Sequence, residues 1–203
     1  MKITCHMIMS VDGRLLPKYW SPLYNASSSV TEVYEAADAK LSADGWIVGR
    51  KTMAEYGADV VEEKEPMEGH KTMQTNTFIG KREGRPLAVV FDIQGRLHYK
   101  SPTLPSGEHI VAVLGSHVTR AYQKELEEIG VSYIMRTPGS KLEETQSALK
   151  HLEHDFNVKH MLLEGGAITC GNFLQMGLVD ELSMIVDPGP VSYTHLTLPT
   201  SDL

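Results

Sequence analysis

Met161-Leu-Leu-Glu-Gly-Gly-Ala-Ile-Thr-Cys-Gly-Asn-Phe-Leu-Gln-Met-Gly-Leu-Val-Asp-Glu-Leu182 is the stretch whose reading decides the fold. Met161, Leu162 and Leu163 form a short apolar run, as expected of a strand buried on both faces. Gly165 and Gly166 follow at once. Two residues without a Cβ allow a tight turn and a close approach of backbone to ligand. A helical pattern opens at Ala167, with Ile168, Phe173, Leu174 and Leu178 on its apolar positions. The unpaired N–H groups of a first helical turn behind such glycines form an anion site. The stretch therefore predicts strand, glycine turn, helix and strand, with a phosphate-bearing ligand at the C-terminal edge of a parallel sheet. A plain strand-to-helix turn explains the same residues equally well, because the full dinucleotide-binding glycine pattern is absent.

A second stretch repeats the arrangement. Asp44-Gly-Trp-Ile-Val-Gly49 reads as a strand, and Gly49-Arg-Lys-Thr52 turns into a helix running to about Tyr56. Arg50, Lys51 and Thr52 offer the charge, fork geometry and hydroxyl that a phosphate site uses. Two strand–glycine–helix units in one chain favour the phosphate reading over two solvated turns.

The remaining pattern alternates strands and helices. Residues 2–9 read as the first strand, ended by the turn Ser10-Val-Asp-Gly-Arg14. A loop over 15–28 carries Tyr19, Trp20 and Tyr24. Val30 to Leu41 is helical, with Ser29 as N-cap and Glu32 completing a capping box. Residues 58–85 are polar and irregular, a lid or a mobile loop by their length. Strands follow at 86–92, 109–114 and 131–135, and helices at 118–129 and 142–156, the latter apolar at Leu142, Leu149, Leu152 and Phe156. Glu181 to Val186 is the last strand. This order implies one α/β domain around a mostly parallel sheet, spanning 1–190. Val191 to Leu203 breaks the pattern and resembles the translation of a transposon-based sequencing adapter. It is expected to be a non-native tail, with the final strands of the domain missing.

Composition narrows the function. The 203 residues are 41% hydrophobic and 22% charged, a globular balance with room for a substantial core. The net charge of −7 argues against nonspecific nucleic-acid binding. No apolar run reaches the length of a membrane span, and the N-terminus enters a strand at once, unlike a signal peptide. Cys5 and Cys170 are far apart in sequence, which fits free thiols in a reducing cytoplasm. His151 and His154 share a helix face without a third ligand, so no metal is expected.

Four segments together resemble one family: Met9-Ser-Val-Asp-Gly-Arg14, Asp44-Gly-Trp-Ile-Val-Gly-Arg-Lys-Thr-Met53, Leu163-Glu-Gly-Gly-Ala167 and Gly177-Leu-Val-Asp-Glu-Leu182. The chain resembles the reductase domain at the C-terminus of RibD, a pyrimidine reductase of riboflavin biosynthesis in the dihydrofolate reductase superfamily. The resemblance implies a dihydrofolate-reductase-like sheet flanked by helices. It implies NADPH as cofactor and reduction of the ribosyl group of a 5-amino-6-(phosphoribosylamino)uracil-type pyrimidine to ribityl. Family members are often dimers, so a homodimer is expected by resemblance alone.

Carried over residue by residue, Gly165, Gly166, Ala167, Ile168 and Thr169 match the cofactor pyrophosphate turn, and Thr52 a further phosphate contact. Arg50 matches the arginine that meets the NADPH 2′-phosphate in dihydrofolate reductases. Met9 and Ser10 match backbone positions beside the nicotinamide, and Trp20 an aromatic beside the cofactor. Glu164 matches a substrate contact, and Lys40 falls near a cation that meets substrate phosphate. No residue is identified as a general acid. The chain departs from RibD at His6, where a lysine is common, and at Tyr56, where an aspartate stands. It also lacks a zinc-deaminase signature. The competing readings are a same-fold reductase of another heterocycle such as a pterin, a non-catalytic nucleotide-binding module, and a truncated reading frame without function.

A sheet that lacks its last strands exposes unpaired backbone and apolar surface. The 203-residue chain is therefore expected to give low soluble yield and aggregate on expression. High soluble yield with a cooperative thermal transition contradicts this.

Overall fold

A computed structural model of the chain describes residues 1–11, 13, 15, 27–57, 59–67, 69 and 77–187. The elements in order are β1 (Lys2–Ser10), α1 (Ser27–Leu41), β2 (Gly45–Gly49), α2 (Arg50–Tyr56), β3 (Val60–Glu62), β4 (Leu87–Phe91), β5 (Leu97–Tyr99), β6 (His109–Leu114), α3 (Arg120–Ile129), β7 (Ser132–Met135), α4 (Lys141–Asp155), β8 (His160–Gly165), α5 (Ala167–Gln175) and β9 (Glu181–Asp187). Seven strands form one sheet in the order β7-β6-β4-β2-β8-β1-β9. The pairs β1–β8, β2–β8, β2–β4, β4–β6 and β6–β7 are all parallel. The chain divides into two compact units, one of Met1–Cys5 with Ala43–Glu181, the other of His6–Ser42 with Leu182–Leu203.

In the first unit the apolar runs of β4 and β6 are buried along almost their whole length. That is the environment such runs require, since both faces of a parallel sheet are covered. Ala88, Val90, Ile110, Ala112 and Leu114 meet Tyr122 and Leu126 of α3 in one core. Full burial of each larger aliphatic contributes roughly 1.5–3 kcal/mol. Thr119 caps α3, accepting from the Tyr122 amide, and Gly130 ends it in the left-handed conformation at φ 90°. Ser140 and Glu143 form a reciprocal capping box at the start of α4.

Aspartates hold the strand edges. Asp44 Oδ2 accepts from the amides of Lys159 (2.6 Å) and His160 (3.0 Å), which locks the start of β8 beside β2. Asp180 Oδ2 accepts from the Ile3 amide at 2.7 Å, and its own amide donates to the Ile3 carbonyl at 2.9 Å. Gly45 lies between these elements with φ 154°, and a Cβ there would collide with the Leu87 backbone.

Several expectations need correction. Helix α1 begins at Ser27, so Ser29 lies inside it and is not its N-cap. On α5 the buried residues are Cys170 and Phe173, whereas Ile168 is 76% and Leu174 53% exposed. Of the expected apolar positions within this helix, Phe173 faces the core while Ile168 and Leu174 face outward. On α4 Leu152 and the C-capping Phe156 are buried as expected, but Thr145 and Ala148 join them and Leu142 is 38% exposed. The polar stretch 58–85 contains β3, which pairs antiparallel with β5 in a separate two-stranded sheet. A three-residue strand has too few alternations to show a period. The tail 191–203 lies outside the described residues.

His109 begins β6 fully buried. Its Nε2 is 2.7 Å from Ser132 Oγ, which also accepts from the Gly80 amide at 2.9 Å. Burial, with Arg82 and Arg85 nearby, pulls its pKa down to about 4. The folded ring therefore stays neutral while the unfolded ring protonates near the ordinary value of about 6.5. Stability is then lost as pH falls from about 6.5 towards 4, with the unfolded state binding the extra proton. Between pH 7 and pH 5 this single group removes about 2 kcal/mol. Urea melts at the two pH values measure the loss, and His109→Gln is expected to flatten it.

Candidate active site

The first unit places two glycine turns side by side at the C-terminal edge of β2 and β8. Pairing steps from Ile47 opposite Leu163 to Val48 opposite Gly165, so Glu164 is the extra residue of a bulge. A bulge re-aims the side chain it carries. Glu164 is half-buried there, directly before the glycines. Gly165 has φ 133°, which favours glycine, and the Gly165–Gly166 peptide is cis. Gly166 is the N-cap of α5 and supplies no side-chain cap. The Cys170 amide closes the first turn on the Gly166 carbonyl at 3.0 Å. The earlier amides, those of Ala167, Ile168 and Thr169, form the N-terminal turn, where partial positive charge gathers.

The second turn meets the first through glycine. A Cβ on Gly49 would collide with Thr169 Oγ1, and a Cβ on Gly166 would come within 3.1 Å of Thr52 Oγ1. Thr52 and Thr169 thus border both turns. The structure brings together Thr52, Glu164, Gly165, Gly166 and Thr169 at this edge of the sheet. A pyrophosphate fits this cradle chemically: bare backbone, helix-start amides and two hydroxyls.

Arg50 starts α2, but its guanidinium is ion-paired with Glu62 of β3. Arg96 Nη2 reaches the same carboxylate at 3.2 Å. Nearby, Asp92, directly after β4, is completely buried, accepting from the amides of Arg96 (2.7 Å) and Leu97 (2.9 Å). Burial raises its pKa, while those two amides and the Arg50 charge act the other way. Burial likewise holds the phenols of Tyr99 and Tyr122 well above their ordinary value, the Asp92 charge adding to it. A carboxylate at Glu62 that binds two arginines is a feature the sequence reading missed, because β3 itself was missed.

A further cleft of about 290 Å³ opens beyond β4 and β6, lined by Met67, Gln94, Gly95, His117, Thr119 and Tyr122. It too was missed. Among the described residues no group of three His, Cys, Asp or Glu can hold a metal ion, and no helix is long and apolar enough to cross a membrane.

Met9, Ser10 and Lys40 belong to the second unit. Met9 is half-buried and Ser10 buried at the end of β1, where the Gly13 amide donates to the Ser10 carbonyl at 2.8 Å. Lys40 is exposed in the last turn of α1. His6 is fully buried, with Nδ1 3.0 Å from Ser183 Oγ and its ring 4.4 Å from that of Tyr34. Trp20 lies outside the described residues.

The sequence profile of the RibD C-terminal domain matches residues 1–191. The fold is similar to that of a pyrimidine reductase-like protein from Corynebacterium diphtheriae, at TM-score 0.59 and 18% identity over 96% of this chain and 77% of that one. It is also similar to RibD of Acinetobacter baumannii, at TM-score 0.56 and 20% identity over 92% of this chain and 46% of that one. The riboflavin biosynthesis reductase Rib7 of Saccharomyces cerevisiae matches at TM-score 0.57 and 14% identity, over 98% and 80% of the two chains. No curated protein sequence matches significantly. The seven-stranded sheet flanked by helices is thus the dihydrofolate-reductase-like fold that the resemblance implied.

The touching turns predict a coupled pair. Gly49→Ala is expected to cost about 1–2 kcal/mol by overpacking against Thr169. In a Thr169→Ala background the cost should vanish or reverse, because Gly49 has ordinary extended dihedrals and alanine restricts the unfolded chain. Denaturant melts of the four proteins measure the coupling.

Proposed function

The chain belongs to the RibD C-terminal domain family, and on that premise we propose that it is an NADPH-dependent reductase of riboflavin biosynthesis. Its substrate is a phosphoribosylamino-pyrimidine whose ribosyl group becomes ribityl. One observation carries this reading: the paired glycine turns, where Gly49, Thr52, Gly166 and Thr169 close on one another at the start of α5.

NADPH bound there supplies the hydride. The chain's own residues hold and orient. The amides of Ala167, Ile168 and Thr169 and the hydroxyl of Thr52 receive the pyrophosphate charge. Gly165 and Gly166 let that charge approach the backbone. Glu164, turned by its bulge, is the residue to orient the substrate's polar groups. Arg50 discriminates NADPH from NADH by a fork on the additional phosphate. To do so it exchanges or shares its Glu62 partner, with Arg96 left to hold that carboxylate.

Titration of NADPH and NADH by cofactor fluorescence tests the reading. NADPH is expected to bind more tightly, and Arg50→Ala to lose about 10–100-fold of NADPH affinity while leaving NADH nearly unchanged. Equal loss for both cofactors would assign Arg50 to structure alone. Failure of a well-folded sample to bind either would overturn the reductase reading. Turnover with pyrimidine but not pterin substrates then fixes the substrate class.

A further inference from the structure

Strand β3 consists of Val60, Val61 and Glu62, and it pairs with β5 so that Glu62 lies opposite Leu97. Successive side chains of a strand point to opposite faces. Val61 is 49% exposed, whereas Val60 packs against the main core, and the alternation puts Glu62 on the face of Val60. A carboxylate thus stands on the inward face, its side chain only 26% exposed. One oxygen, Oε1, meets two guanidiniums, those of Arg50 and Arg96. A clamp between β3 and α2 needs one arginine. Two arginines on one carboxylate leave an excess of positive charge beside the glycine turn at Gly49.

The two arginines are held differently. Arg96 is pinned to the chain directly after β3. Its Nε donates to the Glu63 carbonyl at 2.7 Å, and its carbonyl accepts from the Glu63 amide at 2.9 Å. Its own amide donates to Asp92 at 2.7 Å. Its Nη2 stands 3.2 Å from Glu62, longer than the roughly 2.7–2.9 Å of a tight charge-assisted bond. Arg50 is the first residue of α2, directly after Gly49 of the cradle. Arg96 is therefore placed to tighten on the carboxylate, and Arg50 to change partners.

We propose that Glu62 is a tethered competitor for the phosphate that Arg50 binds, and that Arg96 is a positioning residue that receives the carboxylate when phosphate displaces it. The inference rests on the reading of Arg50 as the cofactor's phosphate contact. While Glu62 holds Arg50, only a fraction of molecules presents an open fork, and apparent affinity falls by that fraction. Arg96 limits the loss. Without a second host the displaced carboxylate would be left partly buried and unpaired. Glu62 thereby sets how strongly the additional phosphate of NADPH is preferred, and Arg96 acts on that preference without touching the ligand.

The test titrates NADPH and NADH by cofactor fluorescence against the full chain and its Glu62→Gln, Arg96→Ala and doubly substituted forms. Glu62→Gln is expected to tighten NADPH about tenfold and leave NADH unchanged. Arg96→Ala is expected to weaken NADPH about fivefold, again with NADH unchanged, because Glu62 then has Arg50 alone. In the Glu62→Gln background Arg96→Ala should have no effect. Glu62→Asp withdraws the carboxylate by one methylene; it should give a smaller gain, and it carries the comparison if the glutamine form does not fold. An Arg96→Ala loss of equal size in both backgrounds would mean that Arg96 itself meets phosphate, and the competitor scheme falls. Unchanged or weaker NADPH binding by the folded Glu62 variants sinks it too. Both of those results leave cofactor binding by the unsubstituted chain intact. Absence of any binding to that chain, when folded, removes the reductase reading and this inference with it.

Discussion

The β2 and β8 turns can touch only because neither carries a Cβ at the point of contact. Gly49 faces Thr169 and Gly166 faces Thr52, each at a separation that a methyl group would fill. Those contacts fix where α2 and α5 begin, and they leave backbone rather than side chains at the edge of the sheet. A dense side-chain contact would have been stronger in dispersion, but it would have covered the amides that an anion needs. The site is therefore made mainly by omission, with the hydroxyls of Thr52 and Thr169 pressed against it from the two turns.

Charge around this cradle is balanced rather than concentrated. Arg50 and Arg96 converge on Glu62, while the buried Asp92 is supported by two amides and sits within reach of the Arg50 field. Removing one member of such a cluster leaves its neighbour buried with an uncompensated charge, which costs more than the pair contributes. The short antiparallel sheet of β3 and β5 matters for this reason. It holds Glu62 against the first residue of α2, and so links an outlying two-stranded sheet to the turn at the start of that helix.

Much of this was legible in the sequence. Buried strands announce themselves as uninterrupted apolar runs; β4 and β6 are legible to within a residue of their ends, and β8 in its apolar centre, Met161 to Leu163. The capping pair Ser140 and Glu143 and the stop at Gly130 mark helix ends by local chemistry. The Gly165–Gly166 turn and its helix were readable for the same reason. What failed were features set by distant partners. Strand β3 exists because β5 lies opposite it, and Ile168 is exposed because α5 turns Cys170 and Phe173 inward. Glu62 could not be singled out from the run Glu62-Glu-Lys-Glu65 without knowing which carboxylate Arg50 and Arg96 reach. The bulge at Glu164 leaves no sequence signature, since it is a property of two strands and not of one.

The aspartate clamps of the sheet have a consequence for how such chains diverge. Asp44 grips the first two amides of β8, and Asp180 exchanges hydrogen bonds with Ile3 across the start of β1. Each imitates a neighbouring strand for one or two residues, so alignment is set by a side chain at the strand's own threshold. The connectors are relieved of that duty. Gly84 and Gly107 sit in such connectors with open space around them. Lengths there can drift by insertion and deletion without any strand sliding along its partner, so homologues can lose nearly all recognisable likeness in their loops while the sheet keeps its alignment.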